Sequence, residues 1–354
     1  MDSVIPTDVV VRTALFAGLA LLTLATAILM QVLAMGLRAR LDKRRQRRFV
    51  NTWRPIMAGA TIGEIPEQLP AIHWKDRLRF LLLWNRIQQN VRGPATKLLN
   101  QLLVRTGMDG AARLYLDAGS PSARMIGITT LRYLAPPDAH ERLVLLAQEA
   151  PAPVALAAAR TLVMIDAQKN LPELIPIMLR RRDWTESRCL DICRTAGTES
   201  ATANLLPVFR KADDKDRTRL LPLLECVHVR DRAAAMRDFL DVHPDDGNTA
   251  TALDLLAVAR RPEDIDRMRA LLDHQQAHVR TIAAWFVGVL GHGEEDLHRL
   301  EILLGDHDWH VRQSAAAAIV VLHDVPRSRI EDLAHTLTDR YGQQALQRAL
   351  ETST

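Results

Sequence analysis

The sequence predicts an all-α fold, an α-solenoid of about eight short helical hairpins preceded by one N-terminal transmembrane helix. Three observations predict it: an uncharged apolar run at residues 13–37, apolar residues at helical spacing along the rest of the chain, and a related segment that returns every 30–33 residues. The composition agrees, because Ala and Leu dominate and only 4% of the 354 residues are aromatic. β-Sandwiches and barrels need more aromatic and β-branched side chains.

The first predicted element is the transmembrane helix at residues 13–37, which follows a short tail at residues 1–12. A helix of this length is roughly 37 Å long, enough to cross a hydrocarbon core of about 30 Å with some tilt. A cleaved signal peptide would have a positive amino-terminal region and a shorter apolar stretch. Asp2 and Asp8 precede the run instead, which favours an uncleaved anchor. Ala14 and Gly18 form a small-xxx-small pair that can support an oligomer.

A basic segment follows the apolar run, and residues 37–49 read LRARLDKRRQRRF. The cations predicted to face lipid and to set the topology are Arg38, Arg40, Lys43, Arg44, Arg45, Arg47 and Arg48. Because Lys and Arg resist translocation, the cluster predicts an outside amino terminus and a cytoplasmic body. Residues 38–75 are predicted to be a basic juxtamembrane segment and linker, with Gly and Pro in residues 49–75 interrupting any long helix.

The basic excess is local, which bears on nucleic-acid binding. Residues 1–48 carry eight Arg or Lys and three Asp, a net charge of +5, whereas the whole chain is +4. Residues 49–354 are therefore close to neutral and lack the broad positive field that nonspecific nucleic-acid binding requires. No nucleic-acid partner is predicted.

Residues 76–325 are the predicted solenoid, and residues 326–354 its capping helices. Corresponding positions of the recurring segment are Arg92, Arg124, Ala155, Arg188, Arg219, Thr249, Arg280 and Arg312. Mostly apolar residues lie seven and ten positions further on, so each segment predicts an amphipathic helix. Shorter amphipathic segments, such as residues 140–149 and 294–305, supply the other helix of each hairpin. One hairpin cannot bury its own apolar stripe, but stacked hairpins form a continuous core.

Two segments resemble HEAT repeats of the short type also found in phycobilisome lyases: LLDHQQAHVRTIAAWFVGVLG and LLGDHDWHVRQSAAAAIVVLH. The resemblance covers roughly residues 92–325. It implies that the Val-Arg pair begins the second helix and that the arginine joins a ladder of contacts between repeats. The arginines to which it gives this structural role are Arg92, Arg124, Arg188, Arg219, Arg280 and Arg312. Ala155 and Thr249 depart from the pattern.

A second, shorter resemblance concerns residues 80–103, FLLLWNRIQQNVRGPATKLLNQLL. They resemble the leading part of bacterial membrane-anchored HEAT proteins that accompany inner-membrane polysaccharide glycosyltransferases. The resemblance implies a single-pass protein of the bacterial inner membrane that works in exopolysaccharide synthesis. We therefore expect a noncatalytic, membrane-tethered scaffold for protein partners. The alternative is a ligand- or metal-binding solenoid with lyase-like activity.

Candidate metal ligands occur near the carboxyl terminus, where His274 and His278 are four residues apart and His307 and His310 three. Such spacings can hold zinc when carboxylates lie nearby. These residues fall in predicted turns, where exposed polar side chains and helix caps are expected. No metal site is predicted, and a metal in the turns of residues 274–335 stays open.

No catalytic residue or cofactor is predicted. The sequence has no phosphate-binding loop, no dinucleotide fingerprint and no G-x-S-x-G nucleophile motif. Its three cysteines, Cys189, Cys193 and Cys226, are too few and odd in number for a disulfide framework. We expect them to be small buried apolar residues of a protein in a reducing compartment.

Overall fold

The computed structural model describes residues 9–243 and 247–353, with only the backbone at residues 9–12, 14, 38 and 39. These residues form nineteen α-helices, which confirms the all-α fold. Most of the predicted tail at residues 1–12 lies outside the described residues, and so do the side chains of Ala14 and Arg38. Contacts between Cα atoms divide the chain into two units, residues 1–139 and 140–354.

The first helix, α1, runs without interruption from Val9 to Ala60, 52 residues. The prediction that residues 49–75 form an irregular linker is therefore wrong for residues 49–60. Pro55 lies inside the helix and removes one backbone hydrogen bond. The helix persists because Trp53, Met57 and Ala60 are buried against the helices that follow.

The first unit continues with α2 (Arg77–Gln88), α3 (Pro94–Arg105), α4 (Met108–Leu116) and α5 (Pro121–Leu134). Its core contains Phe80, Trp84 and Leu99, each fully buried. The indole N–H of Trp84 donates to the backbone carbonyl of Leu99 at 3.0 Å, which fixes α2 against α3. The carboxyl-terminal turns of α1 pack on α2 and α3.

The second unit contains fourteen α-helices among its described residues. They are α6 (His140–Glu149), α7 (Ala152–Ile165), α8 (Ala167–Arg180), α9 (Glu186–Ala196), α10 (Thr198–Lys211), α11 (Asp214–Leu220), α12 (Val229–Val242), α13 (Thr249–Ala257), α14 (Ile265–Ala270), α15 (Ala277–Leu290), α16 (Gly293–Leu304), α17 (Trp309–Val321), α18 (Arg327–Thr336) and α19 (Arg340–Thr352). A 3₁₀ segment, Leu221–Cys226, extends α11.

The helices occur as successive pairs, and the second helix of each pair coincides with the recurring segment of the sequence. The described residues contain eight such pairs from α2/α3 to α16/α17, followed by α18/α19 at the predicted cap. Second helices of neighbouring repeats pack closely. A Cβ atom built on Gly288 of α15 would lie 2.4 Å from the Cα atom of Ala318 in α17.

Candidate functional site

The apolar part of α1 is exposed wherever the structure describes its side chains. Every described side chain from Leu15 to Leu37 is exposed, and the mean hydropathy reaches 2.1 over an 18-residue window. This is the one described helix that is long and apolar enough to cross a membrane. A continuous apolar surface of this size is unusual on a soluble monomer, so the helix is a candidate membrane span.

Four charged residues join α1 to the start of α2 at the foot of this span. Arg45 of α1 donates to one carboxylate oxygen of Asp76 at 2.6 Å, and Arg79 of α2 donates to the other at 2.8 Å. Arg79 also pairs with Asp42 of α1. Asp42 and Arg45 are three residues apart on α1, and Asp76 and Arg79 are three apart at the start of α2. We call this arrangement the charged clamp.

The environment of Asp76 stabilises its charged form. The Asp76 side chain is only 12% exposed, and such burial alone would raise the pKa of the carboxyl. The hydrogen bonds and positive charges of Arg45 and Arg79 outweigh that effect and hold the pKa of Asp76 below its usual value. Asp76 is therefore ionised at neutral pH.

Aromatic side chains extend the contact between α1 and α2 beyond the charged clamp. Trp53 is 2% exposed, and its ring packs edge-on against Phe80 of α2 with 4.8 Å between ring centroids. Phe49 lies one turn before Trp53, with 6.3 Å between their ring centroids. The charged clamp and this apolar contact together make the last turns of α1 part of the first repeat. The apolar half of α1 thus continues directly into the folded body.

A groove of about 470 Å³ opens beside the clamp, between α1, α2 and α5. Its apolar walls include Phe49, Val50, Leu82, Leu83, Met125 and Ile126. Arg79, held by the clamp, and the exposed Arg86 also line it. These groups include no acid–base pair or nucleophile, so the chemistry they offer is binding.

The predicted lipid-facing cations divide into two sets. Arg40, Lys43, Arg44, Arg47 and Arg48 are all exposed. Arg45 differs, because its guanidinium belongs to the charged clamp. Sequence grouping alone could not separate it from its neighbours, since the helix face it occupies depends on the packing of α1.

The predicted structural arginines also differ among themselves. Arg280 forms two hydrogen bonds with the carboxylate of Asp306 in the next repeat, at 2.7 and 2.8 Å. Arg312 donates to the backbone carbonyl of the same Asp306 at 2.6 Å. Arg124 and Arg219 donate to backbone carbonyls of preceding residues, those of Ala118 and Trp184.

Arg92 and Arg188 are exposed. Arg92 lies in the loop before α3 rather than at the start of a helix. Arg188 lies in the first turn of α9. Neither makes an ion pair with a described residue, so the structural role implied for these two arginines stays a prediction. The contacts of Arg280 and Asp306, by contrast, join two successive repeats directly.

Comparison with known proteins identifies the repeat type. Residues 233–320 match the family model described as HEAT repeats. We call residues 233–320, which are similar to HEAT repeats, the HEAT segment. The match is narrower than the expected range of residues 92–325 and covers the segment in which Arg280, Asp306 and Arg312 lie. No curated protein matches the chain. Among solved structures, the crystal structure of an engineered protein is 18% identical, covering 80% of this chain and 86% of that chain, with a TM-score of 0.31.

The HEAT segment contains a second set of contacts between repeats, on its first helices. Arg237 of α12 donates to both carboxylate oxygens of Asp264 at 2.7 and 2.8 Å. Arg269 of α14 does the same with Asp296 of α16 at 2.9 and 2.7 Å. The aspartate side chains are 2% and 0% exposed. Both the arginines and the aspartates recur after 32 residues, a signal that sequence reasoning missed by following only the second helices.

Asp296 is the more fully satisfied of the two carboxylates. It also accepts the backbone N–H of His292 at 2.9 Å and a hydrogen bond from Arg299 at 3.2 Å. Burial alone would raise its pKa, but the hydrogen bonds from Arg269 and His292 hold the pKa below its usual value. The buried charge is thus paired and bonded, as a stable interior carboxylate requires.

The other candidate side chains show no arrangement for chemistry. Among the described residues, no group of three or more His, Cys, Asp or Glu side chains is placed to hold a metal ion. The three cysteines are buried and unbonded to one another. Burial raises the pKa of the Cys226 thiol to about 11 and also raises that of Cys193. Both are protonated at neutral pH, which removes their nucleophilic character.

Proposed function

We propose that the chain is a noncatalytic, membrane-tethered scaffold whose HEAT repeats bind protein partners beside the bilayer. The observation that carries the proposal is the continuity of α1. One helix has an apolar half whose described side chains are all exposed, and its carboxyl-terminal turns are held in the first repeat by the charged clamp and by Trp53. Such an anchor fixes the body close to the membrane, where tethering raises its effective concentration for membrane-bound partners.

The orientation follows from the cations after the apolar run. Lys43, Arg44, Arg47 and their neighbours resist translocation, so the amino terminus is placed outside and the repeats in the cytoplasm. Each cation near anionic headgroups contributes about 1 kcal/mol of attraction. The exposed cations closest to the apolar run therefore also hold the helix at the correct depth.

The partner we propose is an inner-membrane glycosyltransferase that synthesises a polysaccharide. Support comes from the resemblance of residues 80–103 to bacterial membrane-anchored HEAT proteins of this kind. Those residues form most of α2 and most of α3, the helices on which α1 docks. A scaffold built in this way presents its first repeat next to any enzyme that shares the bilayer.

Fractionation of native membranes tests the tethering. The change is Leu22→Arg with Leu29→Arg, two exposed positions in the apolar run. Arg at the centre of a span opposes insertion by about 3 kcal/mol, so the variant should move to the soluble fraction and lose crosslinks to integral membrane proteins. Leu22→Ala with Leu29→Ala is the matched control and should stay in the membrane after carbonate washing. Soluble wild-type protein would contradict the proposal.

A further inference from the structure

The outer face of α1, turned away from the repeats, is a row of cations without partners. Six exposed side chains form it: Arg40, Lys43, Arg44, Arg47, Arg48 and Arg54. None of the six makes an ion pair with any described residue. At about 100° of rotation per residue they fall within an arc of roughly 140°. We call this surface the outer cation stripe.

The charged clamp determines which way the stripe faces. Asp42 is the only Asp or Glu in the sequence of α1, and Arg79 of α2 holds it on the inner side. Arg45 is on that inner side too, bound to Asp76. The outer side is therefore left with cations alone. Its positive charge is not neutralised within α1.

Depth separates two parts of the stripe. Measured along the helix from Leu37, the last residue of the apolar run, Arg47 is about 15 Å and Arg54 about 26 Å away at 1.5 Å per residue. The headgroup layer beyond the hydrocarbon is only about 5–8 Å thick, and charges are screened over about 8 Å at physiological salt. Even with a helix tilt of about 40°, Arg54 lies about 20 Å below the hydrocarbon. Arg47 lies about 11–15 Å below the hydrocarbon, beyond the headgroup layer but within one screening length of it, whereas Arg54 lies beyond both. Direct pairing with lipid headgroups is therefore confined to Arg40 and its neighbours.

We propose that the deep part of the outer cation stripe, Arg47, Arg48 and Arg54, binds an acidic cytoplasmic segment of an integral membrane protein. The inference rests on the proposed function, because the depth argument requires α1 to span the bilayer. Charge complementarity selects an acidic occupant. The stripe follows α1 away from the membrane. Its occupant is therefore a segment that leaves the bilayer next to α1.

The spacing of the stripe suits a helical occupant. Arg40, Arg44, Arg47 and Arg54 follow one another at intervals of three, four or seven residues, which keeps them on one side of a helix. Acidic residues at the same intervals on a neighbouring helix would lie opposite them along about 21 Å. Each exposed pair is weak, so binding depends on several pairs together and on both partners sharing one membrane.

A photo-crosslinking experiment in native membranes tests the inference. The reporter is p-benzoylphenylalanine at Asn51, an exposed, uncharged position inside the arc of the stripe. Mass spectrometry should identify a crosslinked peptide with net negative charge that adjoins a transmembrane span. Adduct yield should fall about tenfold in Arg47→Gln, Arg48→Gln, Arg54→Gln, the loss expected for three exposed ion pairs.

Two triple variants control for total charge and for depth. Lys97→Gln, Arg210→Gln, Arg230→Gln removes three exposed cations elsewhere, and Arg40→Gln, Lys43→Gln, Arg44→Gln removes the shallow part of the stripe. Both should keep most of the adduct, measured per molecule that is in the membrane with its repeats in the cytoplasm. The shallow variant still has Arg38, Arg45, Arg47 and Arg48 after the apolar run to set that orientation. Adducts to lipid alone, to nucleic acid, or to soluble proteins would overturn the inference. An acidic adduct that survives the deep substitutions would overturn it as well.

The same samples separate this inference from the proposed function. The deep variant keeps Arg38, Arg40, Lys43 and Arg44 beside the apolar run, so it should remain in the membrane with its repeats in the cytoplasm. If the protein is bound to the membrane but gives no acidic adduct, the docking inference is contradicted and the proposed tethered scaffold still stands. If the protein is absent from the membrane, both the docking inference and the tethered scaffold are contradicted.

Discussion

Arg45 donates to Asp76 at 2.6 Å across 31 residues of sequence and so links α1 to the first repeat. The pair stands between the exposed apolar half of α1 and the buried Trp53. Because Arg79 binds the second oxygen of Asp76 and also pairs with Asp42, the clamp joins one turn of α1 to one turn of α2. We expect α1 and its repeat to respond as one unit to changes at either residue.

Loss of the clamp should loosen the last turns of α1. Arg45 is 41% exposed, so solvent screens the pair and we expect a coupling of only about 0.5–1 kcal/mol between Arg45→Gln and Asp76→Asn. Hydrogen exchange of the amides of residues 49–60 measures it in the full chain in detergent. Additive effects of the two changes would mean that the pair contributes nothing.

Acid should weaken the same contact. The pKa of Asp76 is lowered in the folded protein, so its contribution is present above the unfolded pKa of about 3.9 and is lost as the pH falls through the folded pKa. The protection of residues 49–60 against exchange, taken relative to the intrinsic exchange rate at each pH, should therefore fall below about pH 4 in the wild type. In Asp76→Asn the amides of residues 49–60 should exchange faster at neutral pH, and their protection should show no further loss near pH 4. An identical acid profile in both proteins would contradict the assignment.

Trp53 should matter more than the clamp. It is 2% exposed and packs on Phe80, so Trp53→Ala leaves a cavity and should cost about 3–5 kcal/mol in free energy of unfolding. Chemical denaturation followed by circular dichroism measures the loss. Thr52→Ala, at the exposed neighbouring position, is the control and should change stability by no more than about 0.5 kcal/mol.

Close packing of second helices makes Gly288 intolerant of a side chain. The added Cβ of Gly288→Ala would meet the backbone of Ala318 at 2.4 Å, and the forced separation of α15 and α17 should cost about 1–3 kcal/mol. Gly305→Ala is the control, because its Cβ would find its nearest neighbour at 3.6 Å. Equal melting temperatures for the two variants would show that α15 and α17 are not in contact as described.

The buried Asp296 should be among the most sensitive charged positions of the HEAT segment. Asp296→Ala leaves Arg269 without its buried partner, and breaking such a pair costs about 3–5 kcal/mol. Asp266 also binds Arg269, at 2.9 Å, but its side chain is 87% exposed. Asp266→Ala should therefore change the free energy of unfolding by no more than about 0.5 kcal/mol. Denaturation of both variants measures the contrast.

Periodic features of the sequence predicted the fold well. The apolar run and the 30–33-residue recurrence are local patterns, and each second helix lies where the recurrence placed it. A structural role for Arg280 and Arg312 could be predicted from the same 30–33-residue recurrence. The contacts of Arg237 and Arg269 also had a sequence signal, because these arginines and their aspartates recur after 32 residues. They lie on the first helices, whereas the recurrence was traced on the second helices.

Tertiary packing explains what the sequence did not reveal. Pro55 and nearby glycines indicated a break after the basic segment, yet burial of Trp53 and Met57 keeps α1 helical to Ala60. Arg45 was grouped with its basic neighbours because they are adjacent in the sequence, and adjacency does not show which face of the helix a side chain occupies. Its role depends on the direction in which α2 approaches, and that direction is set by contacts more than thirty residues away.

Membrane topology is the most direct test of the tethered scaffold. The measurement is protease digestion of the full chain, carrying a carboxyl-terminal tag, in sealed right-side-out and inside-out vesicles of the inner membrane. The account predicts that the tag is cleaved only in the inside-out vesicles, where the cytoplasmic face is accessible. Cleavage of the tag in right-side-out vesicles, or recovery of the protein outside the membrane fraction, would contradict it.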